Sequence, residues 1–232
     1  MTRLLAGLGV ALAALAAAGC SGGGGGTAKD PAAVVRESAA ATENVKSFHF
    51  TLDIAKVPTS AKGLQLTGAE GDAKVPDKLK AQVSGTFAGF PLSTKLVSVG
   101  GKLWIENPLS GSWQSVDVGT TPAFLLDPQK GVLGVMHAMT DVKEDGSEDV
   151  GGVSTTRITG KIDAADVGPL VAATGGTGSV DVTLWIGKDD DILRRIEVSG
   201  PVGARESADA VRTVELSRFD EPVTVEAPEG AS

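Results

Sequence analysis

The residue with the clearest chemistry in this chain is Cys20, the only cysteine among its 232 residues. It follows an apolar run, residues 4–18, that starts directly after the positive charge of Arg3, and Gly19 lies just before it. A positive start, an apolar stretch and small residues at the cleavage point are typical of a bacterial secretory signal, in which such a cysteine receives a lipid. About fifteen apolar residues are fewer than the roughly twenty that a membrane-spanning helix needs. We therefore predict acyl chains on Cys20 that anchor the chain to a membrane.

This prediction divides the chain into four parts. Residues 1–19 are a lipoprotein signal peptide, residues 20–29 a lipidated glycine-rich tether, residues 30–228 the folded domain and residues 229–232 a C-terminal tail. Polyglycine has no side chains to pack, so the tether is expected to behave as flexible coil. The domain would then lie on the outer face of the cell membrane, in the cell envelope. An ordinary signal peptide with an incidental cysteine is the alternative, since Ala17 stands where leucine is more usual.

Other reactive side chains are few and poorly clustered. The two histidines, His49 and His137, have no partners at a metal-binding or catalytic spacing, so each is expected to be an exposed or partly buried side chain. Residues 188–191 (KDDD) lack the ligand pattern of a calcium loop, and Asp is common in turns, so we predict a turn there. The acidic cluster in residues 141–149 is likewise predicted to be an exposed loop. No nucleophile motif or phosphate loop is present, so the sequence indicates no enzyme, no metal site and no cofactor.

The composition excludes some partners. The net charge is −8 and the sequence pI about 4.8, which argues against nucleic acid, because phosphate contacts need clustered Lys and Arg. It also argues against a polybasic contact with the membrane. Hydrophobic residues make up 41% of the chain, enough for one large core.

Hydrophobic periodicity predicts a domain dominated by strands, with helices between runs of strands. Asp30-Pro31 is a helix start signal before a helix over 32–45, and Asp127-Pro128 repeats it before apolar residues at helical spacing over 132–139. Asp163 is expected to start a third helix, interrupted at Gly168-Pro169. Gly100-Gly101 indicates a tight hairpin. The predicted strands cover residues 47–54, 81–87, 96–99, 102–106, 113–118, 154–162, 180–186, 193–199 and 211–219. Such a pattern favours one large curved antiparallel sheet with helices on one face.

Two strand segments are apolar on both faces, residues 103–105 (LWI) and 184–186 (LWI). A strand of this kind is buried on both faces. One face can pack on helices, and the other can line a cavity or meet a second layer. Plain core packing is the alternative to a cavity.

Several segments together resemble the actinobacterial envelope lipoproteins of the LppX/LprA/LprF/LprG family, most closely its LprG group. They cover the domain in order and spacing, from about Asp30 to Pro228: the lipidation cysteine, residues 100–105 (GGKLWI), 126–128 (LDP) with Gly131 and Leu133, 156–162 (TRITGKI), 182–186 (VTLWI) with 193–195 (LRR), and 215–223 (ELSRFDEPV).

The resemblance implies an α+β fold, a half-barrel antiparallel sheet whose concave face is packed by helices, similar to the LolA/LolB carriers. It implies an apolar cavity that binds multi-acylated lipids or glycolipids, transport of these lipids across the envelope, and a possible partner transporter of the major facilitator type. No catalytic residue is implied.

We expect one face of the strands and the central helix to line the cavity, with filled core as the alternative for each residue. The residues are Phe50, Leu52, Val83, Phe87, Leu96, Leu103, Ile105, Val132, Leu133, Met136 and Met139. Opening for release is expected at residues 120–126 or 175–179. A non-catalytic envelope scaffold, or an accessory lipoprotein of a transporter, is the alternative function. A hydrolase would need a spatial Asp/His/Ser cluster that the sequence does not reveal.

Overall fold

The computed structural model describes residues 29–56, 64–116, 131–168, 175–203 and 206–229. Cys20, the signal peptide, most of the tether and the predicted gate at 120–126 lie outside these residues. The helices are α1 (Pro31–Glu43), α2 (Val132–Ala138) and α3 (Ala164–Val167). The strands are β1 (Ser47–Ala55), β2 (Leu64–Lys74), β3 (Lys78–Phe87), β4 (Phe90–Val99), β5 (Lys102–Glu106), β6 (Trp113–Val116), β7 (Thr140–Val150), β8 (Val153–Asp163), β9 (Ser179–Gly187), β10 (Leu193–Ser199) and β11 (Val211–Ser217).

The strands form one open curved antiparallel sheet, as the sequence predicts. Its order is β6-β5-β4-β3-β2-β1-β11-β10-β9-β8-β7, so two meanders meet where β1 pairs with β11. Apart from that central pair, the strands that share hydrogen bonds are consecutive in the chain. Hairpin connections therefore build nearly the whole sheet, and the predicted hairpin at Gly100-Gly101 is confirmed, with φ of 59° and 80°.

The helix starts follow the predicted capping chemistry. The Asp30 side chain accepts a hydrogen bond of 3.2 Å from the Ala32 N–H, with Pro31 in the first turn. Asp163 caps α3 in the same way, through a 2.9 Å hydrogen bond from the Ala165 N–H. That helix ends at Val167, next to the interruption predicted at Gly168. The helix predicted over 132–139 is α2, which begins after Gly131, whereas Asp127-Pro128 lies outside the described residues.

Two sequence predictions are wrong. Strand β2 was not predicted, because over residues 68–74 its inward-facing positions are Ala69, Gly71 and Ala73, which show no large apolar alternation. The acidic segment 141–149, predicted to be a loop, belongs to strand β7. That strand is one of the two edges of the sheet, and its mostly exposed charges are typical of an edge that must not pair with another chain.

The core lies between the helices and the concave face of the sheet, mainly over β8 to β10, with further core residues on β1 to β3. It joins Val35 and Ala39 of α1 and Val135 and Met136 of α2 to inward side chains of the sheet. The sheet contributes fully buried residues at 0–2% exposure, among them Ile158, Ile162, Val182, Leu184, Ile196 and Val198. No helix within the described residues is long and apolar enough to cross a membrane.

Candidate functional site

The concave face carries most of the residues that the sequence predicts to line a cavity. Residues opposite one another in neighbouring strands point to the same face. One such row runs Leu216–Phe50–Gly71–Ala81–Leu96–Ile105 from β11 to β5, and a second runs Val214–Leu52–Ala69–Val83. Leu103 continues a third row through Ser98. The apolar residues of these strands, five of which the sequence predicts, therefore lie on one surface.

This face is filled unevenly. Over β8 to β10 its apolar side chains are almost fully buried, as described for the core, whereas Val214 of β11 is half-buried. Over β1 to β5 burial is divided: Phe50, Ala73, Leu79 and Ala81 belong to the core, whereas Leu52, Val83 and Ile105 are only half-buried and lie outside the core cluster of the described residues. We call the part of the face around these three residues the unfilled half. The small residues over β1 to β5 are Gly71, Ala69, Ala73, Ala81, Thr94 and Ser98. Small side chains occupy little volume, so they fill this part of the face less than the large apolar side chains of β8 to β10 fill theirs.

The predicted residues on the central helix lie against the core. Met136 is 2% exposed and Met139, just after α2, is 9% exposed, whereas Val132 and Leu133 are half-buried. Methionine side chains adapt to irregular surroundings, so this helix suits a variable apolar neighbour. Phe87 has a different position: it shares the face by register but lies at the tip of the β3–β4 hairpin, 57% exposed.

Three glycines on β2 and β3 lie in close contact with the backbone of a neighbouring strand. A Cβ atom at Gly71 would lie 2.2 Å from the Lys80 carbonyl oxygen, and one at Gly85 would lie 2.4 Å from the Gln65 carbonyl oxygen. A Cβ atom at Gly68, at a register shift between β2 and β3, would lie 2.8 Å from the Leu52 carbonyl oxygen of β1. Glycines within strands mark bends and close backbone approaches. The sequence predicted neither these close approaches nor the strand that contains two of the three glycines.

The apolar segment at Trp185 is buried on both faces, as predicted, but no second layer covers it in the described part of the chain. On the convex face the Arg195 guanidinium lies 5.0 Å from the Trp185 ring centroid. The Trp185 indole N–H donates a 2.9 Å hydrogen bond to Glu148 of β7, which lowers the pKa of that carboxyl. Long polar side chains therefore shield this face.

A polar cluster on the convex face is the second place where reactive groups meet. The Asp72 carboxylate lies 2.8 Å from Nδ1 of His49, 3.3 Å from Nζ of Lys80 and 3.3 Å from the Arg218 guanidinium. Burial by itself raises the pKa of Asp72, but the hydrogen bonds from His49 and Lys80 outweigh burial, and the net shift is downward. Residues 221–224 complete a shallow pocket there. The sequence missed this cluster because Asp72 lies on the unpredicted strand.

The His49–Asp72 pair resembles two members of a Ser-His-Asp hydrolase triad. Such a pair catalyses hydrolysis only when a nucleophile, such as a serine hydroxyl, lies within hydrogen-bond distance of the imidazole. Among the described residues, the His49 ring nitrogens contact Asp72, Arg218 and Glu70, all ionisable groups and none a hydroxyl. The cluster therefore connects β1, β2, β3 and the segment after β11. His137 is exposed on α2. The described residues contain no group of three His, Cys, Asp or Glu suited to a metal ion.

We predict that Asp72→Asn makes stability depend less on pH. A carboxyl whose pKa is lower in the folded state stabilises the fold fully above its unfolded pKa, about 3.9, and loses that contribution as the pH falls through the folded pKa. Urea unfolding should show a loss of about 1 kcal/mol in the variant at neutral pH, and a progressively smaller loss as the pH falls below about 3.9. Asp53→Asn, an exposed change on the same face, is the control and should show no such convergence.

The structure defines the protein as an open half-barrel: a single curved sheet whose concave apolar face is covered in part by helices. The LppX_LprAFG lipoprotein model matches residues 30–225, so the chain belongs to this family of lipoproteins. The chain is 30% identical over 236 residues to the lipoarabinomannan carrier protein LprG of Mycobacteroides abscessus, a match covering 97% of this chain and 96% of that protein. LprG of Mycobacterium leprae is 28% identical, with 97% and 94% covered.

Solved structures share the fold. LprF from Mycobacterium bovis superposes with a TM-score of 0.69 at 20% identity, covering 86% of this chain and 97% of that one. The Mycobacterium tuberculosis lipoprotein LppX gives a TM-score of 0.62 at 24% identity, covering 84% and 98%. The family and fold predicted from the sequence are thus confirmed.

Proposed function

We propose that this chain is a membrane-anchored envelope lipoprotein that binds multi-acylated lipids or glycolipids on its concave face and carries them across the cell envelope. The observation that carries the proposal is the unfilled half of that face, where Leu52, Val83 and Ile105 stay half-buried around small residues. Relatives that match over nearly their whole length are named carriers of lipoarabinomannan, which supports a glycolipid as the ligand.

The physical basis is the transfer of acyl chains out of water. Each methylene that leaves water for an apolar surface is worth about 0.8 kcal/mol, so a few long chains supply a large driving force without specific polar contacts. Such a ligand needs length and volume rather than a precise hydrogen-bond pattern. Apolar side chains separated by Gly71, Ala69 and Ala81 provide a surface of this kind.

The same proposal includes the anchor and the partner. Acylation of Cys20 would hold the domain at the outer face of the membrane, with residues 20–29 as the tether. The partner that the family resemblance suggests is a transporter of the major facilitator type, which would bring lipid to that face. Catalysis has no part in the proposal, since carrying a lipid breaks no bond.

Native mass spectrometry of the chain purified from its own host, followed by organic extraction, tests the function directly. We expect acylated lipid to co-purify in a fixed ratio to protein. A chain that reproducibly carries no lipid would refute the carrier and leave the non-catalytic scaffold.

Val83→Trp is predicted to remove most of the bound lipid while the domain stays folded. The indole would occupy space beside Leu52 and Ala69 on the unfilled half, where a lipid chain is proposed to lie. Ser84→Trp is the matched control, because Ser84 is the next residue of the same strand and is exposed on the opposite face. Lipid per protein after extraction and the melting temperature are measured for both variants. If Val83 instead faces filled core, Val83→Trp keeps its lipid and loses about 1–3 kcal/mol of stability.

A further inference from the structure

The exposed large apolar side chains of the described residues gather at one end of one half of the sheet. Phe87 and Phe90 are 57% and 75% exposed and face each other across the two-residue turn Ala88-Gly89. Leu109, 95% exposed, lies in the β5–β6 connection. Because β4 and β5 are antiparallel neighbours, that connection lies at the same end of the sheet as the β3–β4 turn.

The described segments around these side chains carry no charge. Residues 64–69, 83–94 and 107–116, which form this end of β2 to β6, contain no Asp, Glu, Lys or Arg. We call them the uncharged rim. The opposite ends of the same strands are densely charged, with Asp72, Lys74, Lys78 and Lys102, and the Lys95–Glu106 ion pair at 3.1 Å lies at the boundary. In a chain with net charge −8, this separation distinguishes one end of the strands sharply from the other.

The lack of charge and the apolar side chains of this rim favour a lipid bilayer as its binding partner. An acidic protein is repelled by the negative surface of an anionic bilayer, and a patch free of acidic groups lets it approach. Phe and Leu side chains projecting from Gly, Ser and Pro turns gain free energy by entering the boundary between headgroups and acyl chains. Trp113, half-buried at the start of β6, adds a residue that favours this boundary.

The rim also continues the concave face. Register gives Gly85 and Leu92 the same face as Val83, and Phe87 and Phe90 follow as the next pair outward. Apolar surface therefore extends without a charged residue from the unfilled half of the face to the tip of the hairpin. A lipid could move along it from a bilayer without its acyl chains crossing water.

We infer that the uncharged rim docks onto the bilayer surface, with Phe87, Phe90 and Leu109 inserted among the lipids, and that lipid enters and leaves the concave face there. The hand-over step rests on the proposed carrier function, whereas docking itself does not.

The inference is tested by measuring how deeply a dye at a single labelled residue enters the bilayer. In a full chain with Cys20→Ser, which removes the native thiol, a polarity-sensitive dye is attached to Ala88→Cys in the turn or to Lys102→Cys at the opposite end. The chain is reconstituted with vesicles of phosphatidylethanolamine and phosphatidylglycerol containing a spin-labelled lipid. We expect a blue shift and several-fold stronger quenching at position 88 than at 102. Adding Phe87→Ser and Phe90→Ser should reduce the signal at 88 to that at 102, with an unchanged melting temperature, because both side chains are exposed.

Equal quenching at positions 88 and 102 would overturn the docking, and this is also the result expected if the rim binds a protein partner instead. Quenching at 88 that persists after the double serine change would overturn the docking as well. Lipid extracted from the same samples is measured separately. A chain that carries lipid without immersion at 88 refutes docking alone, and one that immerses its tip but never carries lipid refutes the carrier alone.

Discussion

A Gly71→Val chain is expected to lose about 3 kcal/mol or more of its free energy of unfolding. A side chain there meets backbone rather than a movable neighbour: its Cβ would lie 2.2 Å from the Lys80 carbonyl oxygen and 2.8 Å from Ala81 Cα. The backbone of Gly71 is not left-handed, so valine is excluded by space and not by its dihedral angles. To make room, β2 and β3 would have to separate, and their hydrogen bonds would be lost at this position. For a domain of this size, the melting temperature should fall by about 6–12 °C.

The control for this prediction is Glu70→Val, the same residue introduced one position earlier. Glu70 is 70% exposed on the convex face, and its contact with His49 at 3.7 Å is a weak surface ion pair. Valine should therefore change stability there by no more than about 0.5 kcal/mol. Equal melting temperatures for the two variants would show that β2 and β3 can separate freely, and the close approach at Gly71 would lose its structural role. Thermal unfolding by circular dichroism measures both.

The same glycines explain why the sequence predicted only part of the fold. Alternating large apolar residues are a strong signal, so β1, β9 and β10 were predicted nearly to the residue. Strand β2 shows Ala69, Gly71 and Ala73 on its inner face, and small residues carry almost no periodic signal. The small residues that leave this part of the concave face less filled are thus the ones that hid the strand. Strand β7 was missed for a different reason, because an edge strand buries little and shows its charges.

The sequence predicted which residues share the concave face, but not which part of that face the core fills. Alternation along each strand put Phe50, Leu52 and Val83 on one side, and register confirms that they share it. Which part of this face is filled depends on where α1 and α2 pack. That position is a tertiary property, and helix periodicity alone does not contain it. The His49–Asp72 pair was unpredictable for a related reason, since 23 residues and an unrecognised strand separate its two members.

Arg212→Met is the second change expected to have a large effect. Arg212 is on the concave face between Ile54 and Val198, and its side chain is 3% exposed. Its guanidinium pairs with the Glu206 carboxylate, which also accepts a 3.0 Å hydrogen bond from the Val202 N–H. Removing the arginine leaves that carboxylate without its counter-charge in a site that is only 15% exposed. Losing one partner of a buried ion pair costs about 3–5 kcal/mol.

The double change Arg212→Met with Glu206→Met is expected to recover most of this loss, because desolvating two charges offsets much of what their attraction contributes. Nε and Nη1 of Arg212 have no hydrogen-bond partner within the described residues, so the arginine already keeps donors buried and unsatisfied, which favours recovery. Urea unfolding of the wild type, both single variants and the double variant gives the coupling energy directly. A double variant no more stable than Arg212→Met would mean that the side chains stabilise the fold through packing, and an unaffected Arg212→Met would mean that Glu206 reaches water. Either result would mean that the Arg212–Glu206 ion pair does not stabilise this end of the concave face as a buried ion pair.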